Sequence, residues 1–252
     1  MGEVTSIGVL TDKDYKEIVC DVTDSDDYDT TVNIVQQSPE IARGVDAGGA
    51  GDQGIVIGYA CNENKEMIPH EYYLAKSLCN YLFNKYPYDG KTQITINSDL
   101  EVLVIVSSYQ NVSTETLTRE VGEWIKENSV SVSPDTKYYL NHIGEWNIGG
   151  FDADTGLTGR KIVVDSYGPR VPVGGGAFSG KDWTKVDRSG AKYAQHIAQE
   201  ILKKRKAKEV KVELAYALGA PEAVQSVVWV DGVSEELKGF DVGMEGVRGF
   251  VG

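Results

Sequence analysis

Seven stretches of the chain alternate apolar and polar residues with a period of two: 3–10 (EVTSIGVL), 30–36 (TTVNIVQ), 92–97 (TQITIN), 100–108 (LEVLVIVSS), 160–165 (RKIVVD), 210–218 (VKVELAYAL) and 226–230 (SVVWV). This alternation predicts strands with one buried face. Three longer stretches carry helical spacing instead. Residues 72–86 line up Leu74, Leu78 and Leu82; 114–127 line up Leu117, Val121 and Ile125; 188–204 line up Ala194, Ile197 and Ile201. Each stripe predicts an amphipathic helix, and a shorter helix is predicted over 12–20. The recurring order of strand, strand, helix, strand points to an α+β fold rather than strict βαβ alternation. The units echo one another loosely, without a repeat of fixed period. Two glycine-rich stretches, 44–58 and 168–180, read as loops that bring backbone close to a ligand.

With 252 residues, 41% of them hydrophobic and 25% charged, the chain is long enough for one large or two ordinary domains with a full core. No apolar run approaches the ~18 residues of a membrane span, and the start, MGEVTSIGVL, lacks the basic region and apolar stretch of a signal peptide. Cys20, Cys61 and Cys79 are scattered without a CxxC, as expected of core residues in a reducing, cytoplasmic setting. The net charge of −13 argues against a nucleic-acid binder. The basic run KKRKAK at 203–208 ends a predicted helix, where cations complement the dipole. A polyanionic substrate therefore needs a locally positive pocket.

GGGAFSGKD at 174–182 supplies such a place. From Gly175 it has the P-loop spacing up to Gly180 and Lys181, but Asp182 stands where a P-loop needs Ser or Thr. The following KDWTKVD adds Asp182, Lys185 and Asp187, and GLTGRK (156–161) adds Arg160 and Lys161. Cations and carboxylates beside a glycine loop are what a phosphate site with its own metal ligand requires; a solvated loop is the alternative. In GAGDQG (49–54), Asp52 is placed either to hold an ammonium group or to make a turn. The acidic stretch DVTDSDDYD (21–29) fails the calcium-loop pattern, lacking Gly at the sixth position and Glu at the twelfth. His70, His142 and His196 have no ligand spacing, and no GxSxG nucleophile motif is present.

Taken together, GAGDQG followed by GYA (58–60), GGGAFSGKD followed by KVDRS (185–189), and QSPEIARGVD (37–46), GLTGRK and VDSYG (164–168) resemble the methionine adenosyltransferases, also called S-adenosylmethionine synthetases. The resemblance runs from about Gly2 to about residue 230. It implies an α+β fold of related units in a pseudo-threefold arrangement with truncated terminal units, in one region of approximate segments 1–60, 61–150 and 151–252. It implies synthesis of S-adenosylmethionine from ATP and L-methionine, with magnesium and potassium, in a homodimer or higher oligomer whose sites lie between subunits. It implies no nucleic-acid or membrane partner.

Carried over position by position, the resemblance makes Lys91, Arg160, Lys161 and Lys181 the triphosphate-binding cations. Glu3, Gln37, Asp52 and Lys185 become methionine contacts, and Asp187 a metal ligand. Asp89, Asp154 and Ala177 lie toward the nucleoside, as does Trp146, in a place where the family usually stacks Phe on adenine. Two departures stand out. The family's opening His-Pro-Asp-Lys segment and a later potassium-binding Glu have no counterpart here, and the family's closing helical region is not recognisable after about residue 236. The loop between Gln37 and GAGDQG is also shorter than usual. These departures lead to the expectation of a split enzyme completed by a small second polypeptide. The alternatives are a minimal single-chain enzyme and a non-catalytic relative that binds methionine, ATP or the product.

Overall fold

The computed structural model describes residues 12–33, 35, 38–154 and 161–251. The elements run α1 (Asp12–Thr23), α2 (Pro39–Asp46), β1 (Gly54–Cys61), α3 (His70–Lys85), β2 (Gly90–Ile96), β3 (Val102–Tyr109), α4 (Thr114–Glu127), β4 (Val132–Leu140), α5 (Ile162–Asp165), α6 (Ser189–Arg205), β5 (Glu209–Tyr216), β6 (Gln225–Val230), β7 (Val233–Glu236) and α7 (Met244–Val251). They build two sheets. One is antiparallel in the order β1-β5-β6-β7. The other has the order β2-β3-β4, with β2 antiparallel and β4 parallel to β3. The second sheet, with α4 as the crossover from β3 to β4, is a strand–strand–helix–strand unit whose last strand, β4, is not among the seven alternating stretches.

Each sheet buries one face under helices. Leu74, Leu78 and Leu82 of α3 and Leu117, Val121 and Trp124 of α4 are sealed against Ile94, Val102, Ile105 and Tyr109 of the three-stranded sheet. Ala194, Ile197 and Ile201 of α6 pack on Val56 and Ala60 of β1 and on Val210, Val212 and Leu214 of β5. The two blocks meet through a smaller cluster of Tyr59, Cys61, Ile68, Tyr167 and Val171. There Tyr167 Oη accepts a hydrogen bond from the Tyr59 N–H at 3.1 Å.

Three sequence expectations are corrected. Residues 161–165 are not a strand: Ile162–Asp165 form the single helical turn α5, because an apolar run of three residues is too short to fix its own period. The described residues of 30–36, namely 30–33 and 35, form no strand. The stretch 44–58 is not one long loop: α2 ends within it at Asp46 and β1 begins within it at Gly54. The strand expected over 3–10 lies outside the described residues. No helix among the described residues is long and apolar enough to cross a membrane. The three cysteines are unpaired, and burial pushes the Cys61 thiol up to about 11, so that it is chemically quiet.

Glu120 on α4 is a charge inside the second block. It is 4% exposed and accepts from Lys85 Nζ at 2.6 Å, Arg119 Nη2 at 3.0 Å and Tyr86 Oη at 3.0 Å. Burial alone would raise its carboxyl, but these donors outweigh it and hold it at about 2. The ionised carboxylate therefore stabilises the fold fully above the ordinary carboxylate range. That contribution is lost as the pH falls toward 2. Glu120→Gln is expected to cost about 1–2 kcal/mol at pH 7, with the gap between variant and parent closing in urea titrations below pH 3. An equal gap at pH 7 and pH 2.5 would refute this account.

Candidate functional site

The two glycine-rich signature loops meet at the head of β1. The Gly51 N–H donates to the Thr184 carbonyl at 2.9 Å, and Ala50 and Gly219 exchange a further bond at 2.8 Å, which ties the 49–54 loop to the turn after β5. Above this junction Lys181 Nζ reaches Asp187 Oδ2 at 2.5 Å. Asp187 is 7% exposed. Glycines make room for the pair. A Cβ on Gly175 would lie 2.5 Å from Asp187 Oδ1, and one on Gly176 would lie 3.0 Å from both Asp187 Oδ2 and Lys181 Nζ. Gly175 also has φ +74°, a conformation that side chains disfavour. The glycine count of this loop follows from the space the ion pair needs.

Asp182 does not act as a P-loop hydroxyl. Its Oδ1 accepts from the Thr184 N–H at 2.7 Å and from Thr184 Oγ1 at 2.5 Å, an Asx turn that folds the loop back on itself. Arg188 Nη1 donates to the Lys181 carbonyl at 2.7 Å, so the cation-bearing residue is held by backbone as well as side chain. Lys185 lies half-buried in the same turn, 3.5 Å from Thr184 Oγ1, and Ala177 is half-buried in the glycine loop that precedes it. Asp52 accepts from the Gln53 N–H at 2.8 Å. The loop region thus collects Asp52, Ala177, Lys181, Lys185 and Asp187.

A second group gathers at one corner of the three-stranded sheet. Asp89 Oδ2 accepts from the Gly150 N–H at 2.6 Å, and Gln110 joins Asp89 to the Asn147 carbonyl through bonds of 3.2 and 2.9 Å. The Trp146 carbonyl accepts from Asn111 at 3.0 Å. Lys91 stands exposed on β2 opposite Ser108. Asp154 follows a 3-10 turn at Gly150–Asp152 and is bonded back to the Gly150 carbonyl at 3.4 Å. Lys161 is exposed at the start of α5. Glu3, Gln37 and Arg160 lie outside the described residues.

Gln110, Thr184 and Arg188 are organising residues that the sequence reading did not single out. Their roles rest on tertiary bonds to backbone atoms, which leave no spacing signature. His70 opens α3, its N–H is capped by Glu63 Oε2 at 2.9 Å, and burial holds its imidazole below the ordinary value against the opposing pull of Glu63.

Among the described residues no three His, Cys, Asp or Glu side chains converge on a metal-sized space. Magnesium bound largely by phosphate oxygens and water needs only one or two carboxylates. Asp187 supplies one, with Oδ2 on Lys181 and Oδ1 turned to the glycine side. The donor set fits such an ion. It suggests no ligand for potassium.

Residues 47–146 match the S-adenosylmethionine synthetase central domain, and residues 148–238 match the S-adenosylmethionine synthetase C-terminal domain. The S-adenosylmethionine synthase of Acholeplasma laidlawii (strain PG-8A) is 40% identical over 228 positions, covering 81% of this chain and 59% of that protein. The S-adenosylmethionine synthase of Prochlorococcus marinus (strain MIT 9211) is 36% identical over 277 aligned positions, covering 90% of this chain and 68% of that protein. The solved structure of an unusual S-adenosylmethionine synthetase from Campylobacter jejuni superposes with a TM-score of 0.83 at 29% identity, over 98% of this chain and 75% of that one. The chain thus spans about 59% of the length of the first of these relatives.

Proposed function

The chain belongs to the S-adenosylmethionine synthetase family, and on that premise we propose that it makes S-adenosylmethionine from ATP and L-methionine. In this reaction the methionine sulfur forms a bond to C5′ of the ribose as the C5′–O bond breaks, and tripolyphosphate leaves with the electron pair. Water then cleaves it to pyrophosphate and phosphate. The leaving group concentrates negative charge, so cations fixed in place before the reaction favour the transition state.

The observation that carries this reading is the Lys181–Asp187 pair, set between Gly175 and Gly176 where the two signature loops are joined by Gly51 and Thr184. In our reading Lys181 binds the triphosphate with Arg160, Lys161 and Lys91, while Lys185, Asp52, Gln37 and Glu3 hold methionine by its charged ends. Asp89, Trp146, Asp154 and Ala177 face the nucleoside. Magnesium, when bound, offsets triphosphate charge and would be held by Asp187; potassium is the family's monovalent partner. The corner with Asp89 and Lys91 lies on the three-stranded sheet, and the loop with Lys181 is joined to the head of β1 in the four-stranded sheet; in our reading the complete site is shared between two copies of the chain. The unpaired thiols fit a reducing, cytoplasmic setting.

The test is incubation of the purified protein with ATP, L-methionine, magnesium and potassium, with mass-spectrometric detection of S-adenosylmethionine and of pyrophosphate plus phosphate. Tripolyphosphate binding is measured in parallel by calorimetry. Both are expected. Absence of product together with absence of tripolyphosphate binding would overturn the reading.

A further inference from the structure

The last described helix, α7, reaches the cation-bearing loop through Arg248. Met244 and Val247 bury α7 in the core beneath α6, at 2% and 0% exposure. The Met244 N–H bonds to the Pro221 carbonyl at 2.8 Å, and Tyr216 Oη donates to the Val242 carbonyl at 3.0 Å just before the helix. Phe250 stacks on His196 of α6, with ring centroids 4.8 Å apart. Thus anchored, α7 presents Arg248 with its Cζ 5.2 Å from the ring centroid of Trp183. Trp183 is the residue between Asp182 and Thr184 at the centre of the Asx turn, and its ring packs against the same core. The turn is therefore held in two ways: by the hydrogen bonds that Arg188 and Gly51 donate to its backbone, and by the Trp183 ring, which packs on the core and lies under the Arg248 guanidinium.

We propose that Arg248 is a positioning residue: through Trp183 it fixes the turn that carries Lys181 and Lys185, and so sets the affinity of the site for a polyphosphate. A guanidinium over an indole face restrains ring orientation without contacting the ligand. The ring is flanked on both sides by residues that bond within the turn, so its orientation and the loop's backbone move together. The link to a polyphosphate rests on the function proposed above; the link between α7 and the loop does not.

The experiment separates the two. Amide hydrogen exchange of residues 181–188 without ligand is compared between the parent, Arg248→Ala and Arg248→Lys. Faster exchange in Arg248→Ala, restored by Arg248→Lys, is expected; unchanged exchange in Arg248→Ala overturns the proposal whatever the protein binds. Inorganic tripolyphosphate is then titrated into the same proteins and into Trp183→Ala and the double variant. Arg248→Ala is expected to weaken binding about three- to fivefold, the scale of a partly exposed cation–π contact. Adding it to Trp183→Ala should cost nothing further. Losses that multiply in the double variant would overturn the proposal. Loss of tripolyphosphate binding in none of these variants and not in Lys181→Ala would overturn the functional reading, leaving the exchange result to decide the role of Arg248.

Discussion

On the function proposed above, Lys181→Ala is expected to lower the rate of S-adenosylmethionine formation by roughly 10²–10³-fold, the scale seen when one preorganised donor to a developing oxyanion is removed. The reasoning is geometric. Lys181 Nζ is held 2.5 Å from Asp187, its carbonyl is bound by Arg188, and Gly176 clears the space beside its ammonium group. A lysine this constrained loses little freedom when an anion arrives, and its charge stands ready as the C5′–O bond breaks. The loss should fall mainly on kcat, because the charge on the bridging oxygen grows toward the transition state. Lys185→Ala, four residues on, should instead raise the KM for methionine with a smaller change in kcat, since the role proposed for it is to bind the amino acid rather than the leaving group. Lys181→Ala also leaves the buried Asp187 without its cation. The double variant with Asp187→Asn therefore serves as control and should recover thermal stability without activity. Steady-state kinetics of the three variants decide the matter. Near-parental kcat in Lys181→Ala would remove this residue from the chemistry.

Helices α3, α4 and α6 were legible from the sequence because each carries an unbroken stripe of apolar residues, and those stripes (Leu74–Leu78–Leu82 among them) are the ones the structure buries. Strands β2, β3, β5 and β6 were legible for the same reason, with one face of each buried. Strand β4 was not. Its sequence VSPDTKYYL contains a proline and mostly exposed side chains, since it pairs in parallel at the edge of its sheet and gives the core Leu140 and a partly buried Val132. The signature loops were legible as motifs, but the bonds that join them were not. Gly51 to Thr184 and Arg188 to Lys181 are contacts between side chain or backbone and backbone, and any residue pair brought together by the fold can make such bonds. The same holds for Asp182. It stands where a P-loop needs a hydroxyl, and its bonds to Thr184 make it a turn-former.

The glycines of 51–58 hid β1, and one of them sets a large stability effect. Gly58 sits in the middle of β1 where α6 crosses it. A Cβ there would lie 2.0 Å from the Ala194 carbonyl carbon and 2.3 Å from the Gln195 nitrogen. Both are backbone atoms inside a helix, so neither can swing aside as a side-chain tip would. Gly58→Ala must push α6 away from the sheet and open the contacts of Val56 and Ala60 with Ala194 and Ile197. Overpacking of this kind costs about 3 kcal/mol, which in a chain of this size lowers the melting temperature by roughly 6–12 °C. The damage should reach function as well. Strand β1 starts at Gly54, where a Cβ would lie 3.7 Å from Asp187 Oδ1, and α6 starts two residues after Asp187. Moving strand and helix apart therefore pulls on both supports of the ion pair. Gly122→Ala gives the opposite sign. Gly122 lies within α4, a Cβ there meets nothing within 4 Å, and removing a helical glycine stabilises by about 0.5–1 kcal/mol. Calorimetric melting of the two variants beside the parent is the measurement. A Gly58→Ala protein that melts within about 2 °C of the parent would mean that α6 is not packed on β1 at this distance, and the account of how the fold supports the Lys181–Asp187 pair would fall with it.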